Sequence, residues 1–223
     1  MPRFVAGVVR FQDEVLPGKR ALFEKLSQGQ SPEALFITCS DSRIDTSLIT
    51  QTEPGELFVI RNAGNIVPAH STETGGMVAS IEFAVSALEV PHIVVCGHTG
   101  CGAMKGAMDL AGLAELPNVR EWLGYAKAAV DVVNELGQGR SDDERMRMLL
   151  EQNVLLQLQH LKTHPSVAAK LANGTVQLHG WIYDIKTGGV DAFDEVREQF
   201  VPLGQCYADE LTAPAGASQE AVR

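Results

Sequence analysis

The sequence has no excess of positive charge and no long apolar run. Its 18 lysines and arginines are outnumbered by 28 aspartates and glutamates, which gives a net charge of -10. Surfaces for nucleic acid or anionic membranes need a lysine and arginine excess, so the composition argues against both partners. No stretch approaches the ~18 uninterrupted apolar residues of a membrane span. Charges at Arg10, Asp13 and Glu14 interrupt the N-terminal apolar run before it reaches the length of a signal-peptide core. We therefore expect a cytoplasmic protein.

Cysteine is also scarce, at four residues: Cys39, Cys96, Cys101 and Cys206. In a reducing cytoplasm such cysteines are typical of thiols or metal ligands and not of disulfides. The chain has 223 residues, of which 45% are hydrophobic, enough for one large globular domain. We therefore expect a single catalytic domain over residues 1–223, with an N-terminal arm at 1–30 and a loose tail at 208–223, where apolar periodicity is lacking.

Apolar runs separated by amphipathic segments predict the fold class. Residues 35–38, 57–60, 93–96 and 175–185 are typical of strands. Residues 2–28 predict helix interrupted by Pro17, apolar residues from Met77 to Leu88 recur at helical spacing, and Ser141 with Glu144 forms a capping-box pattern before another helix. Strands that alternate with helices indicate an α/β fold, a central and mostly parallel sheet flanked by helices, here with an N-terminal helical arm.

The segment "VVCGHTGCGAM" places His98 and Cys101 in a glycine-rich turn after a buried strand, and Cys39 ends another such strand. In a parallel sheet both lie at the carboxyl edge, where ligands bind. If the first and third strands are neighbours, these three side chains converge. Three protein ligands leave one position of a tetrahedral zinc ion open, which is typical of a catalytic site. Cys96, by alternation along its strand, should point to the other face of the sheet and belong to the core.

These residues also have simpler interpretations. A cysteine at the end of a buried strand is often only a small apolar core residue. Asp41 and Arg43 could form a surface salt bridge, worth ~0 to 1 kcal/mol. His160 and His164 stand four apart, a spacing that can hold zinc, but the glutamate of the zinc-protease motif is absent between them. We interpret these two histidines as a solvated helix end.

Three segments carry a resemblance to a known family. "CSDSR", "PGELFVIRNAGN" and "GHTGCG" resemble the β-class carbonic anhydrases, and the similarity extends over about residues 11–201. The resemblance implies a zinc lyase that reversibly hydrates carbon dioxide to bicarbonate and a proton by zinc-bound hydroxide. It implies Zn²⁺ on Cys39, His98 and Cys101, with Asp41 and Arg43 as a catalytic dyad beside the metal.

The resemblance also implies a substrate pocket for carbon dioxide and bicarbonate. Its positions match Gln30, Phe58, Ala63, Phe83 and Gly102. By periodicity alone, Phe58, Ala63 and Phe83 are ordinary core residues, and Gln30 is a solvated loop residue. In the family the glutamine enters the site of a partner chain, which implies a homodimer, or a tetramer built from dimers, assembled on the N-terminal arm.

Two alternatives remain open. A hydrolase for carbonyl sulfide or carbon disulfide on the same scaffold would accept a linear apolar triatomic in the same pocket. A zinc-sensing or redox protein would join Cys39 and Cys101 in a reversible disulfide, although Asp41 and Arg43 would have no evident task there. In some family members the aspartate leaves its arginine and binds zinc, and these carry tryptophan where this chain has Phe36. We therefore expect Asp41 to stay paired with Arg43 near neutral pH.

Overall fold

The computed structural model describes residues 2–72 and 74–212. These residues contain one six-stranded sheet with the order β2-β1-β3-β4-β5-β6. The strands are β1 (Ala34–Cys39), β2 (Leu57–Asn62), β3 (His92–His98), β4 (Gln177–Tyr183), β5 (Val190–Asp194) and β6 (Gln199–Pro202). The first four strands in the sheet order are parallel, and β5 and β6 continue the sheet in antiparallel fashion. This confirms the predicted α/β class and its mostly parallel sheet.

The predicted neighbourhood of the first and third strands is confirmed, because β1 pairs with β3 along its length and Thr38 lies opposite Cys96. The strands β5 and β6 were not predicted. They are short, at five and four residues, and their half-buried sequences mix apolar with charged and polar side chains. Such segments have too few apolar positions to stand out from a loop by sequence pattern.

Helices flank the sheet and precede it. They are α1 (Arg3–Arg10), α2 (Arg20–Leu26), α3 (Thr46–Thr50), α4 (Gly76–Glu82), α5 (Gly102–Ala107), α6 (Pro117–Leu123), α7 (Lys127–Leu136), α8 (Asp142–Lys162), α9 (Pro165–Ala172), α10 (Leu203–Cys206) and α11 (Ala208–Thr212). Tighter or wider helical turns join α1 to α2 through residues 11–19, so Pro17 does not interrupt the helical arm. Of the expected loose tail, residues 208–212 form α11, and 213–223 lie outside the described residues. Within the described ranges, no helix has both the length and the apolar character to cross a membrane.

The main core lies between one face of the sheet and the helices. Leu35, Ile37 and Cys39 point into it from alternate positions of β1. The helix α8 begins with the predicted capping box of Ser141 and Glu144 and packs its apolar residues on the same core. The longest helix of the described chain therefore lies against β3, which ends at His98, and against the neighbouring β4.

The opposite face of the sheet carries a smaller cluster. Phe36, Val94 and Cys96 are buried there, with Trp181 and Tyr183 packed against them. Phe36 contacts Trp181 edge to face at 5.8 Å between ring centroids. The expectation that Cys96 belongs to the core on the far side from Cys101 is confirmed, and burial raises the pKa of the Cys96 thiol to about 12.

The interpretation of His160 and His164 as a solvated helix end is wrong. His164 is 2% exposed and its Nε2 donates to the Pro68 carbonyl at 2.9 Å. His160 donates through Nδ1 to the Val67 carbonyl at 2.7 Å. The segment after β2 that contains Val67 and Pro68 packs over this end of α8. Because it lies more than ninety residues earlier in the chain, the sequence around the histidines does not indicate that they are covered.

Candidate metal centre and active site

Cys39, His98 and Cys101 converge at the carboxyl edge of the sheet. Cys39 is the last residue of β1, His98 is the last residue of β3, and Cys101 precedes α5 as its N-cap. Their ligand atoms all lie within 4.8 Å of one another, and the two sulfurs are 3.9 Å apart. All three residues are buried, and they form the one group of this kind found among the described residues. Parallel pairing of β1 with β3 brings the strand ends together.

The donor set fits a zinc ion. The Nδ1 of His98 is 3.0 Å from the Thr99 carbonyl, which can only accept, so Nδ1 carries the proton and Nε2 carries a lone pair. This Nε2 is buried and has no hydrogen-bond partner. A histidine that donates one ring nitrogen to a carbonyl and presents the other beside two sulfurs is typical of a metal ligand. The geometry therefore accommodates Zn²⁺ on Nε2 and two Sγ atoms.

Hydrogen-bond donors around Cys39 stabilise negative charge on its sulfur. The Cys101 thiol, and then the N–H groups of Gly64 and Asp41, lower the pKa of Cys39 against the opposing effect of burial. The Gly64 N–H lies 3.4 Å from Cys39 Sγ. The bond to Cys39 and burial together raise the pKa of Cys101. The two sulfurs therefore hold one proton between them as a pair, and a cation placed between them favours both thiolates.

Asp41 and Arg43 form the expected pair beside this cluster. Arg43 donates from Nε to Oδ1 at 2.9 Å and from Nη2 to Oδ2 at 2.7 Å, and its backbone N–H also binds Oδ1 at 3.0 Å. These bonds hold the pKa of Asp41 well below its usual range. Arg43 is fixed in turn by the Gly100 carbonyl at 2.9 Å. The Oδ2 atom of Asp41 lies 3.9 Å from Nε2 of His98, so an ionised carboxylate faces the ligand cluster.

Arg61, on β2, contacts the backbone beside the ligand cluster. In the structure its Nε donates to the Cys39 carbonyl at 3.0 Å and its Nη2 to the Asp41 carbonyl at 2.7 Å. Arg61 therefore fixes the backbone that carries both the first ligand and the acidic residue. Nothing in the spacing of the "RNAGN" motif predicts these two contacts.

The expected pocket residues lie on different elements. Phe58 on β2 and Phe83 after α4 bring their rings to 6.0 Å. Ala63 is exposed, and its carbonyl accepts from Trp122 Nε1 at 2.8 Å. Phe83 is 48% exposed. Periodicity alone would make Ala63 and Phe83 core residues, and their exposure in this chain contradicts that; their place in the pocket stays a prediction.

The two remaining pocket candidates are on the surface of this chain. Gly102 begins α5 next to Cys101, and a Cβ added there would meet nothing within 4 Å. Gln30 is exposed in the segment between α2 and β1. Gly102 therefore lies directly beside the ligand cluster, and Gln30 is free to contact another chain.

Comparisons with known proteins agree with this geometry. The sequence profile of the carbonic anhydrase family matches residues 34–190. A carbonic anhydrase of Pseudomonas aeruginosa is 46% identical over 222 residues, which is 100% of both chains. The solved structure of the β-carbonic anhydrase CcaA is 45% identical and superposes with a TM-score of 0.87 over 90% of this chain and 98% of that one.

A tetrameric β-carbonic anhydrase of Sordaria macrospora is 32% identical, with a TM-score of 0.67 over 89% of this chain and 91% of that one. The fold, the Cys-His-Cys cluster and these relatives define an enzyme of the carbonic anhydrases. The chain belongs to the β-class carbonic anhydrase family.

Proposed function

We propose that this enzyme is a zinc lyase that interconverts carbon dioxide and bicarbonate. The observation that carries the proposal is the convergence of Cys39, His98 and Cys101 within 4.8 Å, next to the ionised carboxylate of Asp41. Zinc would be held by the two sulfurs and by Nε2 of His98. When bound, it supplies the Lewis acidity that lets water ionise near neutral pH, for which a carbonic anhydrase with three histidine ligands is the standard example.

Asp41 orients the attacking oxygen. An ionised carboxylate is only an acceptor, so Oδ2 accepts a hydrogen bond from the O–H of the nucleophile and directs a lone pair toward the substrate carbon. Arg43 keeps this carboxylate ionised and fixes its plane with two parallel bonds. The pair therefore acts on orientation and charge and leaves the metal ligands unchanged.

The substrate is linear and apolar, and an apolar wall suits it. Phe58 and Phe83 supply adjacent rings, and Ala63 and Gly102 supply small surfaces near the ligand cluster. The exposure of Phe83 and Ala63 in a single chain fits a pocket that a second copy completes. We assign the amide of Gln30 from that second copy to hydrogen bonding with carbon dioxide or bicarbonate.

The active unit in this proposal is a homodimer, or a tetramer built from dimers. The arm carries exposed apolar side chains, with Phe4 75% and Val8 56% exposed. No residue of α1 or α2 is buried within its own chain, although both helices are well formed. An apolar helical face of this kind requires a covering surface in solution, and a second copy of the chain supplies one.

Replacing Val8 by aspartate tests the assembly. A carboxylate on this face opposes burial against a partner, so the variant should sediment as a smaller species and lose hydration activity. Val196, which is 95% exposed near β5, provides the matched control Val196→Asp. Unchanged assembly of the Val8 variant would contradict a dimer built on the arm.

The reaction itself is tested by stopped-flow hydration of carbon dioxide on protein of known zinc content. Cys101→Ser should lose both zinc and activity, and Cys206→Ser, which changes a cysteine outside the cluster, should keep both. A fully active Cys101 variant without zinc would contradict the proposal. Turnover of carbonyl sulfide without hydration of carbon dioxide would favour the sulfur-specific alternative. Because the ligand sulfurs must stay reduced, we place the enzyme in the cytoplasm.

A further inference from the structure

The helix α8 has a polar stripe, formed by Asn153 and Gln157, on the side that faces the interior. Asn153 is 1% exposed and Gln157 is fully buried, although both lie on a helix that packs against the apolar core. Buried amides are costly unless their hydrogen bonds are made. Both side chains face the loop 64–70, which follows β2. The contacts of this stripe therefore determine where the loop lies.

Asn153 and Gln157 bind the start of the loop and each other. The Nδ2 of Asn153 donates to the Gly64 carbonyl at 3.1 Å. Gln157 donates from Nε2 to Oδ1 of Asn153 at 2.9 Å and accepts from the Val67 N–H at 2.8 Å. Because Gln157 occupies the acceptor of Asn153, the amide of Asn153 is held with its donor toward Gly64. The stripe continues to the end of α8, where Oγ1 of Thr163 accepts from the His70 N–H at 2.8 Å.

The residue fixed by Asn153 also touches the ligand cluster. The N–H of Gly64 donates to Cys39 Sγ at 3.4 Å. Gly64 has φ +85, a conformation that favours glycine, and an added Cβ would lie 2.7 Å from the Met104 methyl. Its placement is therefore narrow, and a displacement of the whole residue moves both its carbonyl and the N–H that reaches the sulfur.

We propose that Asn153 is a positioning residue for the metal centre, acting through Gly64 on the Cys39 sulfur. An N–H donated to a thiolate orients the sulfur and withdraws part of its charge. Without Asn153 the Gly64 carbonyl loses the bond that anchors it, the position of Gly64 becomes less well fixed, and Cys39 becomes a less well-ordered ligand. The inference rests on the proposed function in one respect, that the Cys-His-Cys cluster holds zinc.

Asn153→Leu removes the contact while nearly conserving volume. Thr163→Val is the matched control, since it removes a bond between the same helix and the same loop at the end remote from Gly64. Zinc affinity is measured by competition with a chromophoric chelator, and the sulfur-to-metal charge-transfer band is recorded after loading with Co²⁺. We expect Asn153→Leu to bind zinc about 10- to 100-fold more weakly, as for other groups that orient metal ligands, and to shift the band. Thr163→Val should match the parent in both.

Equal zinc affinity and an unshifted band in Asn153→Leu would overturn the inference, as would equal effects in Thr163→Val. If Asn153→Leu does not fold, Asn153→Ala is measured instead, because alanine is smaller than asparagine and donates no bond to Gly64. The same two results decide. A parent protein that binds no zinc would refute the proposed function, whereas a zinc-loaded, active parent with unaffected variants would refute this inference alone.

Discussion

Replacing Asp41 by asparagine separates orientation of the nucleophile from metal binding. The side chain keeps its shape, and Oδ1 can still accept from the Nε and backbone N–H of Arg43. The second oxygen becomes an NH₂ group that faces the Nη2 donor, so one of the two parallel bonds is lost together with the negative charge. Zinc should remain, because the sulfurs and Nε2 of His98 are unchanged.

We expect turnover of the Asp41→Asn enzyme to fall about 100-fold, the scale on which lost orienting or electrostatic groups act in other enzymes. This corresponds to about 2.7 kcal/mol in the activation barrier. Asp45→Asn is the matched control. Asp45 caps α3 by accepting from the Leu48 N–H at 3.1 Å, and asparagine caps a helix equally well.

The assay is stopped-flow hydration at several pH values on zinc-quantified protein, with parent and control measured together. Unchanged turnover with zinc retained would refute the reasoning and leave Asp41 and Arg43 as a structural pair. Loss of zinc from the Asp41 variant would also refute it, because the carboxylate would then act on the metal ligands themselves.

Three further predictions address stability, pH and the resting state. Gly64→Ala should destabilise the fold by about 1 to 2 kcal/mol of backbone strain and by a further repacking cost, because the Met104 methyl that the added Cβ meets is fully buried. Gly100→Ala should cost only the strain, since an added Cβ there meets ordinary contacts. Equal losses in chemical denaturation would contradict this. Burial lowers the pKa of His179 to about 4 from 6.5, so between these pH values the unfolded chain binds a proton that the folded chain does not, and stability should fall as pH drops from about 6.5 to 4. His179→Gln should flatten this fall in denaturation curves measured across the same pH range. Parallel pH dependence of parent and variant would exclude a contribution from His179. A crystal structure between about pH 7 and 8 should show Asp41 paired with its arginine, and an Asp41 oxygen at the ~2.0 to 2.2 Å zinc bonding distance would count against an open resting site.

Patterns of strand and turn are sufficient to predict much of the candidate site. Cys39 and His98 each end an apolar run, and parallel strands bring such ends to one edge, so their convergence follows once the strands are recognised. Asp41 and Arg43 stand two residues apart beside a ligand, and their pairing is equally local. These features depend on short stretches of sequence.

The features that were missed depend on distant partners. Periodicity assigns polar residues to the solvent side of a helix, so it does not indicate that Asn153 binds a loop 89 residues earlier. His164 is buried by Pro68, 96 residues away. Periodicity alone would place the apolar Phe83 in the core, but in the proposed assembly its exposed surface is covered by another chain. A sequence pattern can indicate that a side chain needs a partner, but it does not indicate which residue that partner is.

The orientation of His98 has a consequence for the order of events during biosynthesis. Its ring is tethered to the Thr99 carbonyl, and Thr99 is held by the Tyr183 carbonyl at 2.9 Å and by the Ile185 N–H at 3.0 Å. Cys39, His98 and Cys101 therefore all leave the ribosome some 80 residues before the end of β4, which holds Thr99 and through it the His98 ring. A nascent chain that ends before β4 carries the complete ligand set without its final geometry. We expect the chain to bind zinc only after the sheet is complete. Bound zinc would then indicate that the chain has folded fully.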